Sequence, residues 1–172
     1  MIILGIDPGT TAVGCAVVEA GNPPRLLHAD LLSIRSRENA DRLKELHTGM
    51  EALIAAWHPD AASVEKLFFA ANTKTAMAVA DARGVILLTA ALHGITLYEY
   101  TPREIKKILT GDGSADKKQM KKMVILTVPE AAGLRARDDV FDAIAAGLAC
   151  CFHEKLHTKL QEPISKIAFD RF

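Results

Sequence analysis

Met1-Ile2-Ile3-Leu4-Gly5-Ile6-Asp7-Pro8-Gly9-Thr10-Thr11 starts as an apolar run and ends in an acid followed by turn residues. Ile2–Ile6 has the composition of a buried strand, and Pro8-Gly9-Thr10-Thr11 supplies the chemistry of a tight turn. Gly14–Glu19 then reads as a second strand folded back on the first. After the loop Gly21-Asn22-Pro23-Pro24, Leu26–Ile34 reads as a third. A meander of three antiparallel strands therefore opens the fold. Asp7 is the awkward residue. A carboxylate among apolar neighbours is unfavourable by several kcal/mol unless its charge is offset, although taken alone Asp7 also fits a turn former before Pro8-Gly9.

Downstream, Leu43, Leu46, Met50, Leu53, Ile54 and Trp57 recur at three- and four-residue steps, which predicts an amphipathic helix over Asn39–Trp57. Ala61–Leu67 predicts a short strand carrying Glu65. Thr73–His93 predicts a helix apolar over much of its circumference, a breadth that implies contact on two sides, with the body and with another subunit. Ile95–Tyr100 predicts a fifth strand. Pro102 suits the first position of a helix over Arg103–Leu109, and Ser114 suits the cap of a helix running to Val128. A connection over Pro129–Arg137 leads to a last helix, Asp139–His153. The expected architecture is one α/β domain over residues 1–155, a mixed five-stranded sheet with helices on both faces. Residues 156–172, divided by Pro163, are expected to form a loosely held tail.

The 172 residues suffice for one substantial core and are few for two. No apolar run approaches the roughly 18–20 residues of a membrane span, and Asp7 interrupts the first one too early for a signal peptide. A cytoplasmic protein is expected. The three cysteines, Cys15 and the adjacent Cys150-Cys151, lack the spacing of a zinc site or disulfide framework and are expected as small buried hydrophobes. Basic and acidic residues number 21 each. Between Arg103 and Lys122, however, seven basic residues face three acidic ones, a local excess of +4. Such a run suits either a solvated helical face or a patch that tracks phosphates.

Other acids share the awkwardness of Asp7. Glu65 sits in a strand, a poor place for glutamate. Asp138, Asp139 and Asp142 open the last helix, whose continuation from Ala143 to Ala149 is apolar. Asp138 and Asp139 also fit helix caps, but Asp142 lies past the cap, on one face with Asp139. If these acids converge, their mutual repulsion is severe: about 4 kcal/mol for one pair near 4 Å at an effective dielectric of about 20. They would have to take up protons or be neutralised by divalent cations. Oxygen-only ligation points to Mg²⁺ or Mn²⁺ over zinc, and a pair of such ions suits phosphodiester cleavage.

Ile3-Leu4-Gly5-Ile6-Asp7-Pro8-Gly9-Thr10, Val64-Glu65-Lys66-Leu67-Phe68, Asp81-Ala82-Arg83-Gly84, Gly113-Ser114-Ala115-Asp116-Lys117 and Asp139-Val140-Phe141-Asp142-Ala143 together resemble the RuvC-type Holliday-junction resolvases. The blocks occur in the family's order over residues 2 to about 153. The resemblance implies an RNase H-like fold and a homodimer that makes symmetric, Mg²⁺-dependent nicks at a four-way DNA junction. It also implies cooperation with the RuvA and RuvB branch-migration proteins. Carried over by position, Asp7, Glu65, Asp139 and Asp142 would bind two metal ions, with Asp138 as a nearby spare. Lys106 and Lys117 would contact the scissile phosphate region, with Lys118 beside them on the DNA. Phe68 would stack on opened bases, with Phe69 as its substitute, and the helix through Arg83-Gly84 would lie near the dimer contact.

Three competing classes remain. Asp7-Pro8-Gly9-Thr10-Thr11 also resembles the first phosphate hairpin of actin-like ATPases and sugar kinases, which need a second similar domain and another glycine-rich loop that this chain lacks. A nuclease of structured RNA would use the same acids. A catalytically inactive junction-binding dimer would have no need of all four.

Overall fold

The computed structural model describes residues 1–66, 73–134 and 137–161. Alternation along β1 (Ile2–Asp7) sends Leu4 and Ile6 into one core and Ile3 into the other, so Gly5 and Asp7 share the side of Ile3. β1 pairs antiparallel with β2 (Ala12–Glu19), which pairs antiparallel with β3 (Arg25–Ser33). On its other edge β1 runs parallel to β4 (Ala61–Glu65), and β4 parallel to β5 (Thr96–Tyr100). The order across the sheet is β3-β2-β1-β4-β5. This is the mixed five-stranded sheet expected from the sequence. It puts Asp7 and Glu65 at the C-terminal ends of neighbouring parallel strands, where open α/β sheets generally bind ligands.

Helices cover both faces. α1 (Asn39–Trp57) and α2 (Thr73–Leu92) bury Leu46, Met50, Ile54, Ala82, Ile86 and Ala90 against the side of the sheet carrying Leu4, Ile6 and Val64. On the opposite face lie α3 (Pro102–Thr110), α4 (Lys117–Thr127) and the long α5 (Asp138–Gln161). α3 begins with a capping box between Thr101 and Glu104 and ends at Gly111 in the left-handed region, φ 79°.

α5 lies unusually close to the sheet. A Cβ on Gly5 would stand 2.2 Å from the Ala143 carbonyl oxygen, and one on Gly14 2.0 Å from that of Asp139. Only bare Cα atoms in β1 and β2 admit a helix backbone at that separation. Ser63 completes the seam: its buried hydroxyl donates to the Ala146 carbonyl at 2.6 Å.

Several boundaries differ from expectation. Ser114 does not cap α4; its N–H and hydroxyl both donate to Asp112 Oδ1, at 2.8 and 2.7 Å. The cap is Asp116, in a box with Gln119. β4 stops at Glu65, and the Leu67 assigned to it lies outside the described residues. α5 continues past His153 to Gln161, into the segment expected as a tail, and residues 162–172 lie outside the described residues. All three cysteines are buried, as their apolar settings implied. No helix among the described residues is long and apolar enough to cross a membrane.

Candidate active site

The strand ends and the start of α5 assemble the acids. Ile6 of β1 pairs with Val64 of β4, so the next residues along, Asp7 and Glu65, end adjacent strands side by side. Alternation turns Glu65 to the same face as Ser63, which bonds to α5. Asp7 itself pairs across β2 with Gly14, beneath the Asp139 backbone. The two contacts fix where the first turns of α5 deliver Asp139 and Asp142.

The acids are felt strongly by one another. Burial, then the charges of Glu65, Asp142 and Asp139, push the Asp7 carboxyl up to about 8, against the opposing pull of Lys117. Burial and Asp142 push Glu65 up to about 7, with Lys106 and Lys117 opposing. Asp142 is raised by burial and by Asp138 and Asp139, and Lys117 again opposes the shift. Burial works to lower the Lys117 ammonium, but its hydrogen bond to Asp138 and the fields of Asp142, Asp138 and Asp139 win, and it stands above the usual lysine range.

The cluster is open. Lys117 Nζ lies 3.2 Å from Asp138 Oδ2 and 3.7 Å from Asp142 Oδ2, while Arg137 holds Asp139 Oδ2 at 3.1 Å. Among the described residues no three His, Cys, Asp or Glu side chains are drawn tightly enough to hold an ion as they stand. Like charges in a poorly solvated site repel, and here Asp138, Asp139 and Asp142 are turned to the cations Lys117 and Arg137. The donors are all carboxylate oxygens, with Asp7 and Glu65 ionised near neutrality only at a cost that a countercharge would relieve. Such a set fits a hard divalent cation.

Glu65, Lys106, Lys117 and Asp142 line a cavity of about 210 Å³ with Pro102, Ile105, Met120 and Ala145. Lys106 and Lys117 thus both reach the acids, and Lys118 is exposed beside them. Phe68 and Phe69 lie outside the described residues. Two contributors escaped the sequence reading. Arg137, the partner of Asp139, gives no signal in a linear pattern. Ser63 was within reach, since a period of two from Glu65 puts it on the same face.

Comparison with known proteins bears on this arrangement. The family described as "Crossover junction endodeoxyribonuclease RuvC" matches residues 3–152. Two curated proteins of that description are similar along most of their length. One, from Halothermothrix orenii, is 43% identical over 86% of this chain and 90% of its own. The other, from Roseiflexus sp., is 41% identical over 92% and 95%. Among solved structures, Thermus thermophilus RuvC in complex with Holliday junction substrate aligns with a TM-score of 0.82 at 30% identity, covering 92% of this chain and 97% of that one. The yeast mitochondrial Holliday junction resolvase Ydc2 shares the fold, with a TM-score of 0.67 at 16% identity. The RNase H-like fold expected from the sequence is therefore the fold observed.

Proposed function

This chain belongs to the RuvC family of crossover junction endodeoxyribonucleases, and from that premise we propose that it resolves four-way DNA junctions by symmetric, metal-dependent hydrolysis of phosphodiesters during recombination and repair. The observation that supports this most is that Asp7 and Glu65 end adjacent parallel strands side by side, where burial and the neighbouring acids push them up to about 8 and about 7. A site that so resists full ionisation is suited to a divalent cation.

Asp7, Glu65, Asp139 and Asp142 are the residues that would hold Mg²⁺, two ions per site, with Mn²⁺ as a substitute; Asp138 is in reach of the same face. Bound there, such ions would supply Lewis-acid polarisation of the phosphate and an activated water. Lys117 holds positive charge at the mouth of the acids, and Lys106 presents its own across the cavity, where charge develops on a phosphate under attack. Lys118 extends that charge along the DNA, and Phe68 or Phe69, close behind Glu65 in the chain, would stack on bases opened at the crossover.

A homodimer completes the proposal, because two symmetry-related sites suit two equivalent strands. The outer face of α2 supports it: Met77 and Leu92 are 76% and 71% exposed, with Leu88 between them at 59%. We propose further that it cooperates with RuvA and RuvB in the cytoplasm, a reading that family membership supports. The test compares a four-way DNA junction, a linear duplex and a structured RNA, with and without Mg²⁺. Paired, religatable nicks in the junction alone are expected. Preferential cutting of the RNA would replace the proposal with an RNA nuclease, and binding without cutting would leave an inactive junction binder.

A further inference from the structure

Lys106 borders two cavities at once. It lines the one that holds Glu65, Lys117 and Asp142, and also an open cavity of about 470 Å³ bounded by Thr101, Pro102, Arg103 and Gly113. Arg103 in turn lines a third of about 500 Å³ with Lys107 and Gly111. The first and second share Pro102 and Lys106 in their walls, and the second and third share Thr101, Arg103 and Gly113, so the three adjoin as a groove past the start of α3. Arg103 and Lys106 are three residues apart, so both project along the same side of that helix.

The charges in this groove are unequally available. The middle section is lined by Arg103 and Lys106 and by no acid. In the outer section, acids are present but turned to local work: Glu104 Oε2 accepts from the Thr101 N–H and hydroxyl at 2.7 and 2.8 Å, and Asp112 Oδ1 accepts twice from Ser114. Arg103 forms no ion pair with any described residue. Its exposed side chain lies against Gly113. A Cβ on Gly113 would stand 2.8 Å from Arg103 Cγ and 3.3 Å from Nε, so the absence of that side chain lets the arginine stem lie across the α3–α4 turn. An exposed guanidinium whose stem packs on a glycine, with its donors unspent, is suited to bidentate contact with a phosphodiester.

We propose that Arg103 is a positioning residue that grips the backbone phosphate of the DNA strand leading away from the cut, through a seat provided by Gly113. The assignment rests on the junction-nuclease reading above. It accounts for a groove that extends beyond the acids, and for the local basic excess in a chain of zero net charge.

The test is the salt dependence of binding to a four-way junction in EDTA, alongside single-turnover cleavage with Mg²⁺. Arg103→Met keeps the stem over Gly113 and removes the charge. It is expected to weaken binding roughly tenfold and to reduce the slope of log K against log salt by about 0.9 for each phosphate that is no longer neutralised, and to slow single-turnover cleavage at subsaturating junction in proportion. Arg103→Lys should retain the slope, and Gly113→Ala, which displaces the stem, should lower it as Arg103→Met does. An unchanged slope in Arg103→Met, or an equal loss in Arg103→Lys, overturns the assignment. If the wild type itself fails to bind or cut junctions, the underlying functional reading falls and takes this one with it; a competent wild type with an unmoved Arg103→Met slope sinks this one alone.

Discussion

Gly14 lies directly beneath the backbone of Asp139: a methyl group built on its Cα would stand 2.0 Å from the Asp139 carbonyl oxygen. Gly14 is also the cross-strand partner of Asp7. One bare Cα therefore sets the separation between an acid at a strand end and an acid at a helix start.

Gly14→Ala tests that relationship. The added methyl meets backbone, which cannot swing aside as a side chain does, so α5 must lift. Overpacking of this kind costs about 1–3 kcal/mol, a drop of several degrees in melting temperature for a chain of this size. Because the lift moves Asp139, cleavage should fall by roughly a hundredfold even where the protein remains folded. Melting curves paired with junction cleavage check both parts.

The raised carboxyls make stability depend on pH. Asp7 and Glu65 hold protons more tightly folded than unfolded, about 8 against 3.8 and about 7 against 4.5. Their contribution is therefore fully present below about pH 4 and is lost as pH rises through about 7 to 8. In EDTA, Asp7→Asn should stabilise the fold at pH 8.5 and have little effect near pH 4, an opposite sign to its effect on catalysis. Thermal unfolding of wild type and variant across that range measures it. Added Mg²⁺ should raise the melting temperature of the wild type at pH 8.5 and do much less for Asp7→Asn.

Lys117 opposes every raised acid around it. Lys117→Met should slow single-turnover cleavage by roughly a hundredfold. It should also move the acidic limb of the pH–rate profile to higher pH, since the carboxyls then keep their protons longer. A rate loss with an unmoved limb would assign Lys117 to the DNA alone.

Leu88 and Leu92 lie four residues apart on the outer face of α2 and are both exposed. Leu88→Glu is expected to leave a folded monomer by sedimentation and to abolish paired nicking. A dimer of unchanged affinity would move the subunit contact to another face.

Much of this was legible in the sequence where local chemistry decides the outcome. Apolar runs bounded by turn residues marked the strands, and the misfit of Asp7, Glu65 and Asp142 with their apolar surroundings marked the acids. Where two local devices compete, the pattern misleads: Ser114 and Asp116 are both good caps, and Asp112 takes the serine into its own turn. The approach of α5 was illegible for a different reason. Gly5 and Gly14 show in the sequence as glycines in strands, a sign of close backbone approach, but what approaches is a helix from the far end of the chain. The ion pairs of the acids with Lys117 and Arg137 were hidden too, because they form only in three dimensions.

The most direct measurement is junction cleavage by wild type, Asp7→Asn and Asp142→Asn at matched junction occupancy, with Mg²⁺ present and withheld. Paired nicks by the wild type only with Mg²⁺, and none from either variant while both still bind, are predicted. Cutting by either variant at near the wild-type rate, or by the wild type in EDTA, would contradict the claim that these acids hold a catalytic divalent ion.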